Sequence, residues 1–289
     1  MSQPKFHALE DLRFDTSQNG WWSLDTGLFY ADPRSVNAMV PKQWWPKVSS
    51  IDAKSGNIKE TVIKPADYTA DVGTGLVVEG SIWWPGMPRV VENFVVSEKG
   101  ALIPREGSRL FNSYRPPPSI PALVIEPRRG KKKKKKKRNP TTETSTEEDN
   151  PWIKHVKALW PNPDDHNFFF DYCAHMLQRP EEKANSIVCL SGEQGIGKDL
   201  ALLPVKLAIG EWNVEEIGPD DLIARYNPWV QSIMVVVNEM RPAQEEFHAS
   251  SMYEQMKKIS VTPPEMLSLS EKYMRMRYVK NVMRLFLTT

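Results

Sequence analysis

The chain has 289 residues, of which 40% are apolar and 26% are charged, and its formal net charge is +2. This balance is typical of a soluble globular protein with one large or two ordinary domains. It excludes a protein that is basic throughout, so any affinity for nucleic acid must come from local patches.

Neither the N-terminus nor the cysteines indicate export. No apolar run approaches the roughly 20 residues of a membrane span, and the N-terminus lacks the apolar stretch of a secretory signal. The two cysteines, Cys173 and Cys189, lie outside any CxxC or Cys/His cluster. We therefore expect an intracellular, cytoplasmic protein with reduced thiols, no zinc site and no membrane segment.

Residues 1–127 are rich in turns and short extended segments. Aromatic, strand-favouring residues flank a turn within residues 21–30, and short apolar runs fall within 74–91 and 92–103. Gly and Pro punctuate all of these runs. The pattern predicts a small β-rich or α+β region, in which the scattered His and acidic residues are interpreted as surface polar groups.

Residues 128–150 are dominated by charge. Ten of the eleven residues from Arg128 to Arg138 are cationic, and an acidic, Thr-rich stretch follows them. Because this segment has no apolar side chains to bury, we expect a disordered linker between two folded regions. The cationic tract is interpreted as a solvated insertion or as a non-specific tether for nucleic acid, and a nuclear-localisation signal is a third reading.

From Pro151 onward, helical spacing of apolar residues alternates with short, continuous apolar runs. The pattern predicts a helical lead-in over residues 151–185 and an α/β core over 186–289. Predicted helices cover 152–160, 166–179, 199–209 and 245–259, and predicted strands cover 186–190, 232–237 and 281–289. Pro204 predicts a kink or an interruption in the third helix. Helices alternating with buried strands indicate a parallel sheet covered on both faces.

The segment between the first strand and its helix matches a phosphate-binding loop, with the spacing Gly-x-x-Gly-x-Gly-Lys. Glycines let successive N–H groups turn toward phosphate oxygens, and the helix N-terminus adds partial positive charge. Lys198 would reach the β- and γ-phosphates of ATP. The predicted nucleotide-binding residues, called the glycine loop below, are Gly192, Glu193, Gln194, Gly195, Ile196, Gly197, Lys198 and Asp199. The alternative is a Gly-rich turn without a ligand.

Three polar residues are predicted to hold Mg²⁺. Asp199 stands where such loops carry the Ser or Thr whose hydroxyl binds the metal, and a carboxylate is also a ligand for hard cations. Asn238 and Glu239 end the predicted strand at 232–237. Asn238 can hydrogen-bond a metal-bound water without supplying charge. Glu239 is predicted to bind metal or to polarise the attacking water, the alternative being a solvated acid at a strand end.

Several motifs follow one another in a recognisable order. They are WWPGMPRVVEN (83–93), LFNSYRPP (110–117), DHNFFFDYCAHMLQRPEEKAN (165–185), GEQGIGKD (192–199), IGEWNVEEIGPDDLIARYNPW (209–229), VVVNEM (235–240), MKKISVTPPEMLSLSEKY (256–273) and NVMRLFLTT (281–289). Together they resemble superfamily 3 helicases, specifically the helicase half of phage and prophage primase-helicases related to the poxvirus type. The resemblance covers most of residues 80–289, with the cationic tract as an insertion.

This resemblance implies a P-loop NTPase core of the AAA+-like type. It also implies a homo-hexameric ring that uses ATP to move along single-stranded DNA. Lys257, Lys258 and Lys272 fall in the segment that matches the family's DNA-contacting hairpin, and a basic hairpin suits a phosphate backbone. Taken alone, a Lys-Lys pair on a helix is more often a solvated face.

The same resemblance marks parts of the family pattern that this chain does not contain. The family's sensor motif continues past Thr289 with an Asn, its intersubunit arginine lies further on, and a priming domain would lie upstream. We therefore expect a fragment that binds ATP but shows little ATPase or unwinding activity alone. The alternatives are another phosphate-loop NTPase, such as a DNA-packaging motor, or a catalytically inactive nucleotide- or DNA-binding protein.

Overall fold

The computed structural model describes most of the chain. The described residues are 9–51, 58–118, 150–240, 246–261, 265–272 and 274–289. The cationic tract from Arg128 to Arg138, and the rest of the predicted linker up to residue 149, lie outside these residues. The predictions made for that segment therefore stay predictions.

The first part of the chain, residues 9–118, is built mainly from short strands. Its elements are β1 (Leu12–Asp15), β2 (Gly20–Ser23), β3 (Phe29–Tyr30), α1 (Pro33–Met39), β4 (Lys47–Ile51), β5 (Ile58–Val62), α2 (Pro65–Thr69), β6 (Val77–Val78), β7 (Gly80–Ile82), β8 (Val90–Val96) and β9 (Leu102–Asn112). The sheets run in the orders β3-β2-β1-β6 and β7-β9-β8, and β4 pairs with β5. Trp22 stacks on Phe111 with ring centroids 5.1 Å apart, which joins the two larger sheets.

The second part is an α/β unit around a parallel sheet. Its elements are α3 (Pro151–Leu159), α4 (Pro163–Gln178), β10 (Ile187–Leu190), α5 (Lys198–Ile209), β11 (Val214–Ile217), β12 (Met234–Val237), α6 (Glu246–Ser260), β13 (Met266–Leu269), β14 (Arg277–Lys280) and β15 (Arg284–Thr288). The sheet has the order β10-β15-β12-β11, and all its neighbouring strands are parallel. The predicted α/β class with a parallel sheet is thus confirmed.

The boundaries of the helices follow from capping and from proline. Asn150 and Asn162 cap α3 and α4 by accepting a hydrogen bond from the second N–H of each helix, and a proline occupies the first turn of each. α5 runs past Pro204 without a break, so the predicted interruption does not occur. Pro204 has no N–H to donate to the carbonyl of Leu200. Leu200 and Pro204 both lie on the exposed side of α5, where water can satisfy that carbonyl.

Buried apolar strands form the centre of the second part. All four residues of β12 are 0% exposed, which explains why their sequence is a continuous apolar run. Trp83 and Tyr114, from the first part of the chain, belong to the same hydrophobic cluster. Trp83 also bridges Val279 of β14. The two parts therefore pack against each other and share one core. No helix in the described part of the chain combines the length and apolarity needed to cross a bilayer.

Candidate functional site

The glycine loop and the Asn238–Glu239 pair meet at one edge of the parallel sheet. The register pairs Leu190 of β10 with Thr288 of β15, and Val237 of β12 with Leu287, so the carboxyl ends of these strands are level. β15 lies between the other two strands, an order that sequence reasoning did not provide. Ligand sites in open α/β sheets form at this edge, in the crevice beyond the carboxyl ends.

A cleft of about 880 Å³ occupies this position. Its size is within the range of small-molecule sites. The residues that line it are Gly192, Gln194, Gly195, Gly197, Lys198, Asp199, Leu200, Glu216, Asn238, Glu239, Met240, Thr288 and Thr289. The structure thus brings together the predicted loop, the three predicted metal ligands and the strand end at Thr288. Of the predicted loop residues, Glu193 and Ile196 do not line the cleft.

The backbone of the glycine loop is shaped to receive an anion. Gly192, Gly195 and Gly197 have φ angles of +150°, +82° and +96°, a region that side chains rarely adopt. In the part of the chain that the structure describes, the backbone hydrogen bonds include none donated by the amide N–H groups of Gly192, Gly195 and Gly197. The first turn of α5 follows directly and adds its own unpaired N–H groups. The loop therefore presents a cluster of amide donors next to a helix N-terminus, as phosphate binding requires.

Lys198 closes the loop on itself. Its ammonium group donates to the carbonyl of Gly192 at 2.7 Å and to the carbonyl of Glu193 at 3.1 Å. An ammonium has three N–H donors, so one remains after these two bonds. The lysine is thus fixed at the cleft with a donor and a positive charge available to a ligand.

The opposite wall of the cleft is polar. Asn238 donates from Nδ2 to Glu216 Oε2 at 3.2 Å and accepts at Oδ1 from the Thr288 hydroxyl at 3.4 Å. Glu239 has a φ of +55°, which is unusual for a residue with a side chain. Strained backbone of this kind concentrates at functional sites, where the surrounding structure enforces it.

Glu216 is a site residue that sequence reasoning missed. It lies on β11, and its Oε1 accepts from Lys206 Nζ at 2.7 Å. The hydrogen bond from Lys206 lowers the pKa of Glu216 below the usual glutamate value. Glu216 therefore stays ionised and holds the Asn238 amide, which orients the Asn238 oxygen toward Thr288. Its only sequence signal is the Val-Glu-Glu-Ile pattern of a partly exposed strand.

The donor set at the cleft fits magnesium. Among the described residues, no group of three or more His, Cys, Asp and Glu side chains is close enough to hold a metal by itself. Mg²⁺, however, is usually bound by one or two carboxylates together with waters and substrate phosphates. Asp199 and Glu239 supply two carboxylates on the same cleft, and Asn238 supplies an amide oxygen. The residues present are thus suited to a metal that arrives with a phosphate ligand.

The three lysines predicted to bind DNA lie outside the cleft. Lys257 and Lys258 are exposed in the last turn of α6, and Lys272 is exposed just before β14. Only Lys272 belongs to the antiparallel hairpin of β13 and β14. Lys258 lines a second cavity of about 340 Å³ together with hairpin residues that include Ser268 and Tyr278. The structure therefore places two of the three on a helix beside the hairpin.

Comparison with known proteins shows a shared fold. No protein-family model matches the chain, and no curated protein matches it significantly. Among solved structures, the apo structure of the NrS-1 C-terminal region is 17% identical with a TM-score of 0.60. Two A-form apo structures of the same region are 16% and 14% identical, with TM-scores of 0.57 and 0.51. Each match covers 96% of this chain and 53% of the other, so the chain spans about half the length of the proteins that share its fold.

Proposed function

We propose that the chain binds ATP with Mg²⁺ in the cleft beyond β10, β12 and β15, as a P-loop NTPase of the AAA+-like type. The observation that carries this proposal is the convergence of amide donors, the Lys198 ammonium and the Asn238–Glu239 pair on one cleft. A triphosphate needs donors and positive charge on one side. It also needs a metal and a base on the side of the γ-phosphate.

Each residue then has a distinct role. The loop amides and Lys198 bind the phosphate oxygens, while Asp199 and Asn238 hold the magnesium, directly or through water. The bound metal would neutralise charge on the β- and γ-phosphates. Glu239 orients the attacking water and accepts its proton. Thr288 fixes the Asn238 side chain by a hydrogen bond.

We further propose that this nucleotide site drives movement on single-stranded DNA, as in the helicase half of a phage primase-helicase. The motifs quoted above support this class. The fold agrees with it, since the similar structures come from NrS-1, a phage primase-helicase. In this proposal Lys257, Lys258 and Lys272 contact the DNA backbone and the assembled protein is a homo-hexamer. A role in phage DNA replication follows from the same proposal.

Titration calorimetry with ATP, with and without Mg²⁺, tests the nucleotide site. We expect Asp199→Ala to weaken binding about fivefold with Mg²⁺ and to strengthen it about fivefold in EDTA, because the carboxylate attracts the metal but repels a bare triphosphate. Asp199→Ser, which supplies the usual hydroxyl, should keep the effect of Mg²⁺. Asp164→Ala is the matched control, since Asp164 lies in the first turn of α4 and outside the cleft. A wild-type chain that binds no ATP would refute the proposal.

The DNA contacts are tested by the salt dependence of single-strand binding. Each phosphate contact contributes a slope of about −0.7 to the logarithm of affinity against that of salt concentration. Replacing Lys257, Lys258 and Lys272 by alanine should therefore reduce the slope by about 2. Alanine at three exposed lysines of the first part, Lys42, Lys47 and Lys64, serves as the control. Equal slopes for the two triple variants would show that the predicted lysines are an ordinary solvated surface.

A catalytically inactive nucleotide-binding protein is the second candidate function. It is favoured by Asp199 and Asn238, which replace the hydroxyl and the carboxylate that usually surround the metal. Hydrolysis measured with saturating ATP and single-stranded DNA separates the two candidates. Turnover that depends on Glu239 supports the motor, while tight ATP binding without turnover in the assembled protein supports the inactive alternative. A DNA-packaging NTPase would be stimulated by duplex DNA instead.

A further inference from the structure

Helix α3 contacts the glycine loop through two side chains. His155 Nε2 lies 2.9 Å from the carbonyl oxygen of Gly197, and Trp152 Nε1 donates to the carbonyl of Ala201 at 2.8 Å. His155 and Trp152 are three residues apart, so they lie on one face of α3. A carbonyl can only accept a hydrogen bond, so His155 Nε2 carries the proton in this contact.

The contact with Gly197 is close enough to exclude other residues. A Cβ atom at Gly197 would lie 2.7 Å from Cε1 and 2.9 Å from Nε2 of the His155 ring. The φ of +96° at Gly197 disfavours a side chain independently. The imidazole therefore packs directly against the backbone of the loop, at the point where the loop becomes a helix.

This contact fixes the direction of an amide donor. The Gly197 carbonyl also accepts from the Ala201 N–H at 3.2 Å, so it points along α5. In a trans peptide the carbonyl and the next N–H point in opposite directions, so the Lys198 N–H points out of the helix N-terminus. Lys198 and Gly197 both line the cleft. A hydrogen bond that holds the Gly197 carbonyl therefore also holds the Lys198 amide in the orientation needed for a phosphate.

We propose that His155 is a positioning residue for the phosphates, acting through the peptide between Gly197 and Lys198. The inference rests on the proposed nucleotide function and extends it to a residue of the helical lead-in. His155 does not line the cleft and has no contact with the ligand in this role. Trp152 supports it by fixing α3 against α5 one turn further along.

Inorganic tripolyphosphate with Mg²⁺ is the probe, because it reports on the phosphate contacts without a base or ribose. We expect His155→Ala to weaken binding of tripolyphosphate and of ATP about tenfold, because the Lys198 N–H is then no longer held in the direction of the phosphate. His155→Gln places a donor near the position of Nε2 and should stay within about threefold of wild type. His155→Asn, which is one methylene shorter, should behave like alanine. This rescue by the longer amide is a result that a purely structural role would not produce.

His166→Ala is the matched control. His166 Nδ1 makes a contact of the same length, 2.9 Å, to the carbonyl of Trp160, and His166 does not line the cleft. This variant should lower the melting temperature without changing the affinity for tripolyphosphate. If His155→Ala does not fold, the Gln and Asn variants decide the question by their difference.

The outcomes separate this inference from the function on which it rests. A wild-type protein that binds neither ATP nor tripolyphosphate would contradict both the proposed nucleotide-binding function and the positioning role of His155. If wild type binds and His155→Ala binds with the same affinity, the positioning role is wrong but the nucleotide site stands. The same conclusion follows if His155→Gln and His155→Asn lose equal affinity.

Discussion

Replacing Lys198 with alanine is expected to weaken ATP binding roughly 30- to 150-fold, which corresponds to about 2–3 kcal/mol for a hydrogen bond to a charged group. The substitution removes the one ammonium group of the glycine loop and also releases the carbonyls of Gly192 and Glu193, to which it donates. Both effects act on the phosphates, so the loss should be as large for tripolyphosphate as for ATP.

Calorimetric titration of folded Lys198→Ala measures this loss. Lys157→Ala is the matched control, because Lys157 is an exposed lysine of the neighbouring helix α3 and does not line the cleft. Lys198→Arg keeps the charge, but its longer planar head cannot fit the same two carbonyls, so we expect an intermediate affinity. Equal affinity for wild type and Lys198→Ala would mean that the glycine loop is a turn without a phosphate ligand.

The parts of the fold that have a local signal could be predicted from the sequence. Buried strands appear as continuous apolar runs, which is why β10, β12 and β15 are within a few residues of their predicted positions. The start of α4 at Pro163 was predicted three residues late, although the Asn162-Pro163 pair is a capping signal. Strand β11 was missed because Glu215 and Glu216 are exposed, so only its two ends are apolar.

The order of the strands had no local signal. β15 comes last in the chain but lies between β10 and β12, because pairing depends on contacts between residues about 50 to 100 positions apart. The residues of the candidate site also fall into those with a local sequence signal and those without one. The glycine loop and Asn238–Glu239 are each contiguous in sequence and were predicted, whereas Glu216 and His155 come from separate segments. Their roles depend on a hydrogen bond across elements, which the pattern of neighbouring residues does not encode.

The role of Arg284 likewise depends on contacts between elements. An arginine within a buried strand contradicts the usual pattern, in which buried residues are apolar and arginines are exposed. It is 0% exposed on β15. Its NH2 group donates to the carbonyls of Glu182 at 2.7 Å and Arg179 at 3.0 Å, just beyond α4. His175 Nδ1, in the last turn of that helix, lies 3.0 Å from the same nitrogen, so its two N–H groups are shared among three acceptors. The guanidinium thus satisfies carbonyls at the end of α4 and places positive charge at its negative end.

Burial lowers the pKa of Arg284 below the usual arginine value, while Tyr172, Glu181 and Glu182 act in the opposite direction. An arginine remains protonated in either case, so a charge is held in the core by these acceptors. Removing the guanidinium leaves these partly buried acceptors without their donor, and it also removes the contacts of a fully buried side chain.

We therefore expect Arg284→Met to lower the free energy of unfolding by about 1–3 kcal/mol and the melting temperature by about 2–5 °C. Arg284→Lys should lose about half as much, since the lysine Nζ is one bond closer to the backbone than the arginine NH2 nitrogen and reaches these acceptors less well. Arg105→Met is the control, because Arg105 forms an exposed ion pair with Glu79 at 3.0 Å, and such pairs contribute less than about 1 kcal/mol. Chemical denaturation of the three variants measures these differences. A methionine variant as stable as wild type would show that burying the guanidinium costs as much as its hydrogen bonds contribute, so α4 would be held to the sheet by apolar packing alone.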